Sequence, residues 1–241
     1  MMKKKIEKYL WQLLRKTDPA YHSSKTSWSQ QGEDLIIDFI FTWQLGCAFP
    51  SYLDIGANHP SILSNSYYFY KKGCRGVNIE PDPNLIEHIR SCRPADINLN
   101  IGIGKVESEL DFYRMSQSTL NTFSKETADD YKTNKQFGYP EIIGVDKVKV
   151  LPINDILEKY FKATTDYFIS IDVEGLDLEI LSSIDFKRHR PTVICIETNR
   201  LIGKDVNKYI ALLNDASYLL YADTSINSIF LNKERVPDYN Y

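Results

Sequence analysis

Four carboxylates stand at the ends of apolar runs: Asp54 in SYLDIGANHP, Glu80 in RGVNIEP, Asp172 in YFISIDVEG and Glu197 in PTVICIETN. Acids are poor strand residues, and so is the glycine two positions after Asp54. An acid beside a glycine turn offers a fixed negative charge where a ligand can approach the backbone closely. Glu80 lies 24 residues after Gly56. An acid at that point, on the second strand of a nucleotide-binding unit, accepts hydrogen bonds from ribose hydroxyls. The turn Gly56-Ala57-Asn58 lacks the GxGxxG pattern that holds a pyrophosphate, and Asp54 would repel phosphates. These residues suit a nucleoside that carries a positive charge.

S-adenosylmethionine is such a ligand, with adenine, ribose, an ammonium and a sulfonium. Asp54 would face its ammonium end directly or through water; the other reading of Asp54 is a turn cap. Asn100 ends the third apolar run, where an adenine would lie, or else closes a strand-end turn. Asp172 and Glu174 share a face if their strand runs through Val173. Paired carboxylates can supply a general base or, with Glu197, hold Mg²⁺ or Mn²⁺. Glu174 can equally cap the helix after it. His59 is a second candidate base because of its ordinary pKa, although a lone histidine is more often structural. Ser118, Thr119, Asn121 and Thr122 in STLNTFS could orient a sugar, or simply form a polar loop. Gln30 and Asp34 in SQQGED could close over the site; Asp34 also suits a first helical turn. His22, His88 and His189 have no motif around them and read as surface residues.

These groups need strands that end at one rim. Apolar spacing at Ile6, Leu10, Leu13 and Leu14 predicts a helix over 3–16, ended by Pro19, and a second helix spans 31–43. Strands and helices then alternate. Strands are expected at 51–56, 75–81, 96–104, 109–115, 146–153, 167–175 and 191–199. Helices are expected at 62–73, 82–92, 154–161 (capped by Asn154 or Asp155), 176–184 and 205–215. Two closing strands follow. Tyr67, Tyr68, Phe69 and Tyr70 read as core and helix surface, and residues 115–144 as the longest irregular stretch. Alternation of this kind implies βαβ crossovers and a largely parallel sheet covered by helices. Ligands of such sheets sit beyond the carboxyl ends of the strands, which brings Gly56, Glu80, Asp172 and Glu197 to one rim.

A chain of 241 residues, 43% hydrophobic, can bury a sizeable core. A net charge of −3 gives no case for nucleic acid. The charge is uneven: residues 1–25 carry +5 and the remainder −8. We therefore divide the chain into a basic helical extension, 1–28, and a domain, 29–241. Residues 3–16 could lie on an anionic membrane, meet a homodimer partner or pack on their own domain. Cys47, Cys74, Cys92 and Cys195 are not at metal-ligand spacing and suggest a reducing compartment without disulfides. The expected location is cytoplasmic, with peripheral membrane contact as an option. No apolar run is long enough to span a bilayer, and the N-terminus makes a poor signal peptide.

DIGAN, NIEPDP, SIDVEGLDLEIL and IET, in this order, resemble the FkbM-type methyltransferases, which depend on S-adenosylmethionine. The resemblance runs from about Ser29 to Glu197. SQQGED, GANHP, SNSYYFYKKGCRG and RPADINLN resemble a branch in which an SQ-x-x-ED segment precedes the domain. The resemblance implies an α/β fold of the Rossmann-like class I type, with a seven-stranded, mostly parallel sheet and helices on both faces. It implies O-methylation and, for many members, acceptors among glycans or glycosylated natural products. It carries over Asp54, Gly56, Glu80, Asp172 and Glu174. His59-Pro60 stands where many members have glycine, so the cofactor's tail could be held differently here. The expected function is O-methylation of a hydroxyl on a sugar, glycan or glycoconjugate. One alternative is an NAD-dependent sugar oxidoreductase, disfavoured by the missing pyrophosphate turn and by a Tyr67–Lys71 pair placed in the first crossover helix. The other is a non-catalytic Rossmann-like binding module, disfavoured by intact acids at every rim position.

Overall fold

The computed structural model describes residues 20–236 except 200–202 and 204, together with Ile6, Leu10 and Leu13; the side chains of Tyr21, His22 and Gln136 are not described. The helix expected over 3–16, its stop at Pro19 and the surface placing of the His22 side chain otherwise lie outside the described residues. The strands among the described residues are β1 (Ser51–Ile55), β2 (Gly76–Ile79), β3 (Ile97–Leu99), β4 (Gly102–Gly104), β5 (Ser108–Met115), β6 (Ile142–Pro152), β7 (Tyr167–Ile171), β8 (Val193–Glu197), β9 (Tyr218–Asp223) and β10 (Asn227–Asn232). The helices that matter below are α1 (Glu33–Phe39), α2 (Tyr67–Lys72), α3 (Pro83–Cys92), α4 (Lys125–Thr133), α5 (Ile153–Phe161), α6 (Asp177–Ser183) and α7 (Val206–Asp215). Seven strands form one sheet in the order β3-β2-β1-β7-β8-β10-β9. All its pairings are parallel except those of β10, which runs antiparallel to both neighbours. This is the Rossmann-like class I sheet that the resemblance implies. A smaller sheet, β4-β6-β5, stands beside it.

Alternate residues of the central strands feed two separate cores. Leu53, Ile55, Ile169, Ile171, Ile194 and Ile196 pack on one face. Tyr52, Phe168, Val193 and Cys195 pack on the other, with Phe69 of α2 and Ile37 of α1. A strand buried on both faces reads as a continuous apolar run, which is why YFISI and VICIE carry no polar alternation.

One row across the sheet breaks this pattern. The register aligns Asn98, Asn78, Asp54, Ser170 and Cys195 on adjacent strands. Asn78, Asp54 and Ser170 are buried, so each needs a partner. For Asn78 that partner is Asp96, which gathers donors from several elements. It accepts hydrogen bonds from Tyr52 Oη (2.7 Å), Asn78 Nδ2 (3.1 Å), the Gly76 N–H (3.1 Å) and Arg93 Nε (2.9 Å). Arg93 and Asp96 form a fully buried ion pair. The guanidinium also lies over the rings of Tyr52 and Tyr70.

Several sequence expectations are corrected. The run 96–104 is two strands in different sheets, because the chain leaves β2 at Leu99 and joins β6 at Gly102. Residues 115–144 contain α4, capped by Ser124, whose hydroxyl accepts from the Thr127 N–H (3.1 Å). Its mostly polar sequence buries only Ala128 and Tyr131 and shows little apolar periodicity. The helix expected over 62–73 forms only from Tyr67, and ends at left-handed Gly73 as expected. Helix α5 starts at Ile153 with no side-chain cap. Asn154 instead ties to α6, donating to the Ser183 carbonyl (2.8 Å) and accepting from the Asp185 N–H (2.9 Å). His189 is buried rather than on the surface. Strand β7 stops at Ile171, before the acids that follow it. Lys25, Ser27 and Trp28 are already bonded into the domain, to Asp38, Asp34 and Asp34.

Removing one partner of a buried ion pair leaves an uncompensated charge. Asp96→Ala is expected to lower unfolding free energy by about 3–5 kcal/mol, read by denaturant titration, whereas substitution of the exposed pair Arg90–Glu87 should have little effect.

Candidate active site

A cavity of about 280 Å³ opens beyond the carboxyl ends of β1, β2 and β7. Its lining includes Asp54, Gly56, Ala57, Asn58, His59, Glu80, Asp172 and Glu174, so the structure brings these expected residues together. Ser118, Thr119, Asn121 and Gln30 also reach it. Asn100, Thr122, Glu197 and Asp34 are not among its lining residues.

The β1 turn is built around Gly56. Its φ is 81°, and a Cβ there would collide with the Asp172 carbonyl oxygen. The glycine is therefore required where the ends of β1 and β7 converge, a packing reason that close ligand approach alone does not give. The N–H groups of Gly56 and Ala57 both donate to the Ile79 carbonyl (3.0 and 3.1 Å), folding the turn onto β2. Asn58 follows in a left-handed conformation, φ 48°. Its N–H donates to Glu80 (2.8 Å) and its Nδ2 to the Ser118 carbonyl (2.9 Å).

Glu80 accepts a second N–H, from Asp82, at 2.8 Å. Burial nevertheless pushes its pKa up to about 7, helped by nearby Asp82 and Asp54 and opposed by the two N–H bonds. Burial likewise holds the Asp54 carboxyl above the usual range; the Arg93 guanidinium and the Ser66 and Ser170 hydroxyls oppose it. Ser66 links the two ions: its hydroxyl donates to Asp54 and accepts from Arg93 Nη1 (3.0 Å).

Asp172 is the first residue past β7, and its N–H donates to the Ile55 carbonyl (3.0 Å). Because the strand has ended, Asp172 and Glu174 do not share a strand face. Glu174 is left-handed (φ 50°) and its carboxylate accepts from Tyr131 Oη. The carboxylates that do converge are Asp172, Asp177 and Glu197, with ligand oxygens within 4.8 Å of one another. Asp177 thus takes the place expected for Glu174. Oxygen donors of this kind suit Mg²⁺ or Mn²⁺, although Asp177 also accepts the N–H groups of Val173 (3.0 Å) and Gly175 (3.4 Å).

Other expectations are corrected by the bonds the groups already make. Asn100 Nδ2 donates to the carbonyls of Glu80 (2.9 Å) and Pro81 (2.7 Å), as a strand-end clamp. His59 Nδ1 accepts the N–H groups of Ser61 (3.1 Å) and Ile62 (2.9 Å). That fixes the neutral ring's proton on Nε2 and commits its lone pair to the turn, so His59 is a poor base. Burial and the neighbouring His88 ring lower its pKa further. Thr122 Oγ1 donates to the Glu174 carbonyl (2.8 Å). Asp34 is buried, accepting from the hydroxyls of Ser27 and Ser29 and from the Trp28 N–H, and organises the 27–35 turn. Arg93, Asp96, Tyr131 and Asp177 had no role in the sequence reading. The one visible signal was the i,i+3 spacing of Arg93 and Asp96 in RPADINLN.

Four acids line the cavity, and no lysine or arginine is among its described lining residues. The fold and this rim define an α/β domain of the nucleoside-binding, methyltransferase type. The Methyltransferase FkbM domain matches residues 54–220, and the chain belongs to that family of S-adenosylmethionine-dependent methyltransferases. A comparison with curated proteins found no match. Solved structures similar to the chain include a TehB-like SAM-dependent methyltransferase from Corynebacterium glutamicum (12% identity, 95% of this chain and 97% of that one, TM-score 0.43). Another is an O-methyltransferase from Bacillus cereus in complex with SAH (12% identity, 91% and 87%, TM-score 0.36). Family membership rests on the domain match.

Glu80 carries a pH signature. Its ordinary pKa of 4.5 applies to the unfolded chain and about 7 to the fold. The fold therefore holds this proton more tightly, and the contribution of Glu80 to stability is largest below pH 4.5 and declines as pH rises towards 7. Denaturant titrations of the ligand-free protein across that range should show this loss, and Glu80→Gln should flatten it.

Proposed function

We propose that the chain is an O-methyltransferase that modifies a hydroxyl of a sugar, glycan or glycoconjugate. The observation that carries this reading is an acid-lined cavity without a described lysine or arginine, which favours a cationic cofactor. When bound, S-adenosylmethionine supplies a methyl group activated by its sulfonium. Glu80 receives the ribose hydroxyls on the lone pairs its two N–H donors leave. Asp54, fixed by Ser66 and Arg93, faces the ammonium. Gly56, Ala57 and Asn58 form the turn over the cofactor.

Asp172 lies in the same cavity and would take the proton of the acceptor hydroxyl while the bond from sulfur to the methyl carbon breaks, the bond from that oxygen to the carbon forms, and neutral S-adenosylhomocysteine leaves. Aligning the hydroxyl with that carbon supplies several kcal/mol of the barrier. Glu174 supports the turn through Tyr131. Ser118 and Thr119 line the cavity and suit an acceptor rich in hydroxyls. If the reaction needs Mg²⁺ or Mn²⁺, Asp172, Asp177 and Glu197 are the residues to hold it. No described helix is long and apolar enough to cross a membrane. A cytoplasmic location, with contact to a membrane or a second copy through residues 3–16, belongs to the same reading.

Calorimetry with S-adenosylhomocysteine is the first test. Binding should be lost in Glu80→Ala and, because the ribose favours the charged carboxylate, should release a proton near pH 7. Failure to bind would remove the cofactor reading. With an acceptor found by screening sugars and glycosides for S-adenosylhomocysteine formation, Asp172→Asn should abolish turnover and leave cofactor binding largely intact. Chelation by EDTA should stop turnover only if the carboxylate triad works through a metal.

A further inference from the structure

An aminoacyl tail brings a carboxylate as well as an ammonium, and the cavity's acids repel a carboxylate. No lysine or arginine among the described lining residues can receive it, so a neutral donor must, and a side-chain amide offers two N–H groups at one atom. Four lining side chains carry an amide. Three of them already give an N–H elsewhere: Asn58 Nδ2 to the Ser118 carbonyl (2.9 Å), Asn65 Nδ2 to Ser170 Oγ (3.1 Å), and Asn121 Nδ2 to Asp82 (3.4 Å). The fourth is Gln30, whose Nε2 has no partner among the described residues.

The polarity of Gln30 is fixed from a distance. Glu33 Oε1 accepts from Asn227 Nδ2 (3.0 Å). A carboxylate only accepts, so the Asn227 atom facing it is nitrogen. The same nitrogen's second proton goes to Gln30 Oε1 (2.8 Å). The oxygen end of Gln30 is thereby turned to β10, and its NH₂ is the end left over. Glu33 is buried and is held as a carboxylate: burial opposes the charge, but bonds from Asn227, two backbone N–H groups and Thr224 outweigh it. On the same cavity wall, the side chain of Asn65 is buried and its Oδ1 has no partner, an acceptor suited to the ammonium.

We propose that Gln30, with its amide polarity set by Glu33 through Asn227, donates to the carboxylate of the cofactor's aminoacyl tail. The proposal rests on the cofactor reading above. It assigns the SQQGED segment to recognition of the tail rather than to a cover alone.

The test is calorimetry of the full chain with two ligands. S-adenosylhomocysteine carries the tail; 5′-methylthioadenosine keeps the adenosine and sulfur without it. Gln30→Ala should weaken S-adenosylhomocysteine about 10- to 100-fold, the range for a hydrogen bond to a charged group. Gln30→Glu should weaken it further, by setting two carboxylates together. Neither variant should change the affinity for 5′-methylthioadenosine. Unchanged S-adenosylhomocysteine affinity in Gln30→Ala overturns the proposal, and so does a parallel loss for both ligands, which would mark a structural role. Wild-type protein that binds neither ligand removes the cofactor reading itself and the proposal with it.

Discussion

The rim depends on a carboxylate buried inside a sheet. Asp54 sits one residue before the end of β1, with polar neighbours Asn78 and Ser170 in register on either side. A buried charge without partners would cost far more than any single contact contributes. The surrounding structure is arranged to meet that cost: α2 begins with Ser66 against Asp54, and the turn after α3 inserts Arg93 and Asp96 beneath the row. The two crossover connections that flank β2 are therefore locked to the site by ions as well as by apolar packing. A charged layer of this kind gives little net stability. What it gives is a fixed position for an acid at the base of a cavity.

The second constraint is the convergence of β1 and β7. Gly56 lies against the Asp172 backbone, so the turn after β1 and the acid-bearing turn after β7 form one unit. The excursion between β5 and β6 then fastens to both. Ser118 receives Asn58, Asn121 reaches Asp82, Thr122 holds the Glu174 carbonyl and Tyr131 holds its carboxylate. A segment that reads as a polar loop is in fact what keeps Glu174 in a left-handed conformation. Such strain persists only where neighbours over-determine it.

The strand-ending acids and the βαβ alternation were legible because each rests on local patterning: apolar runs, punctuating glycines, and one acid per run. Their convergence at one rim follows from the topology of parallel sheets. Roles that depend on who bonds whom were not legible. The ordinary pKa of histidine suits a base, yet Nδ1 of His59 is consumed by two N–H groups close in sequence. Asn100 stands at the right strand end, yet clamps the chain beside Glu80. Asp177 lies in the first turn of α6, and the early end of β7 leaves it, not Glu174, beside Asp172. Arg93 is a charge in a polar stretch after a helix. Beyond the spacing to Asp96 nothing nearby announces complete burial, because its other partners are Tyr52 of β1, Tyr70 of α2 and Ser66 just before α2.

The sign of the cavity bears on turnover as well as binding. With acids on several sides and no described cation in the lining, it favours a positively charged donor over a neutral one. Methyl transfer removes the sulfonium charge, so the product loses that part of the attraction when the chemistry is done. The tail's ammonium and carboxylate remain, and the contacts assigned to Asp54 and Gln30 would hold donor and product alike. Uniform binding of this sort sets occupancy rather than rate. On the proposed reading the difference between the two states is left to the groups that would lie nearest sulfur and acceptor, Asp172 foremost. On that reading a carboxylate there would face a cation before transfer and take up a proton during it, with its charge compensated at both stages.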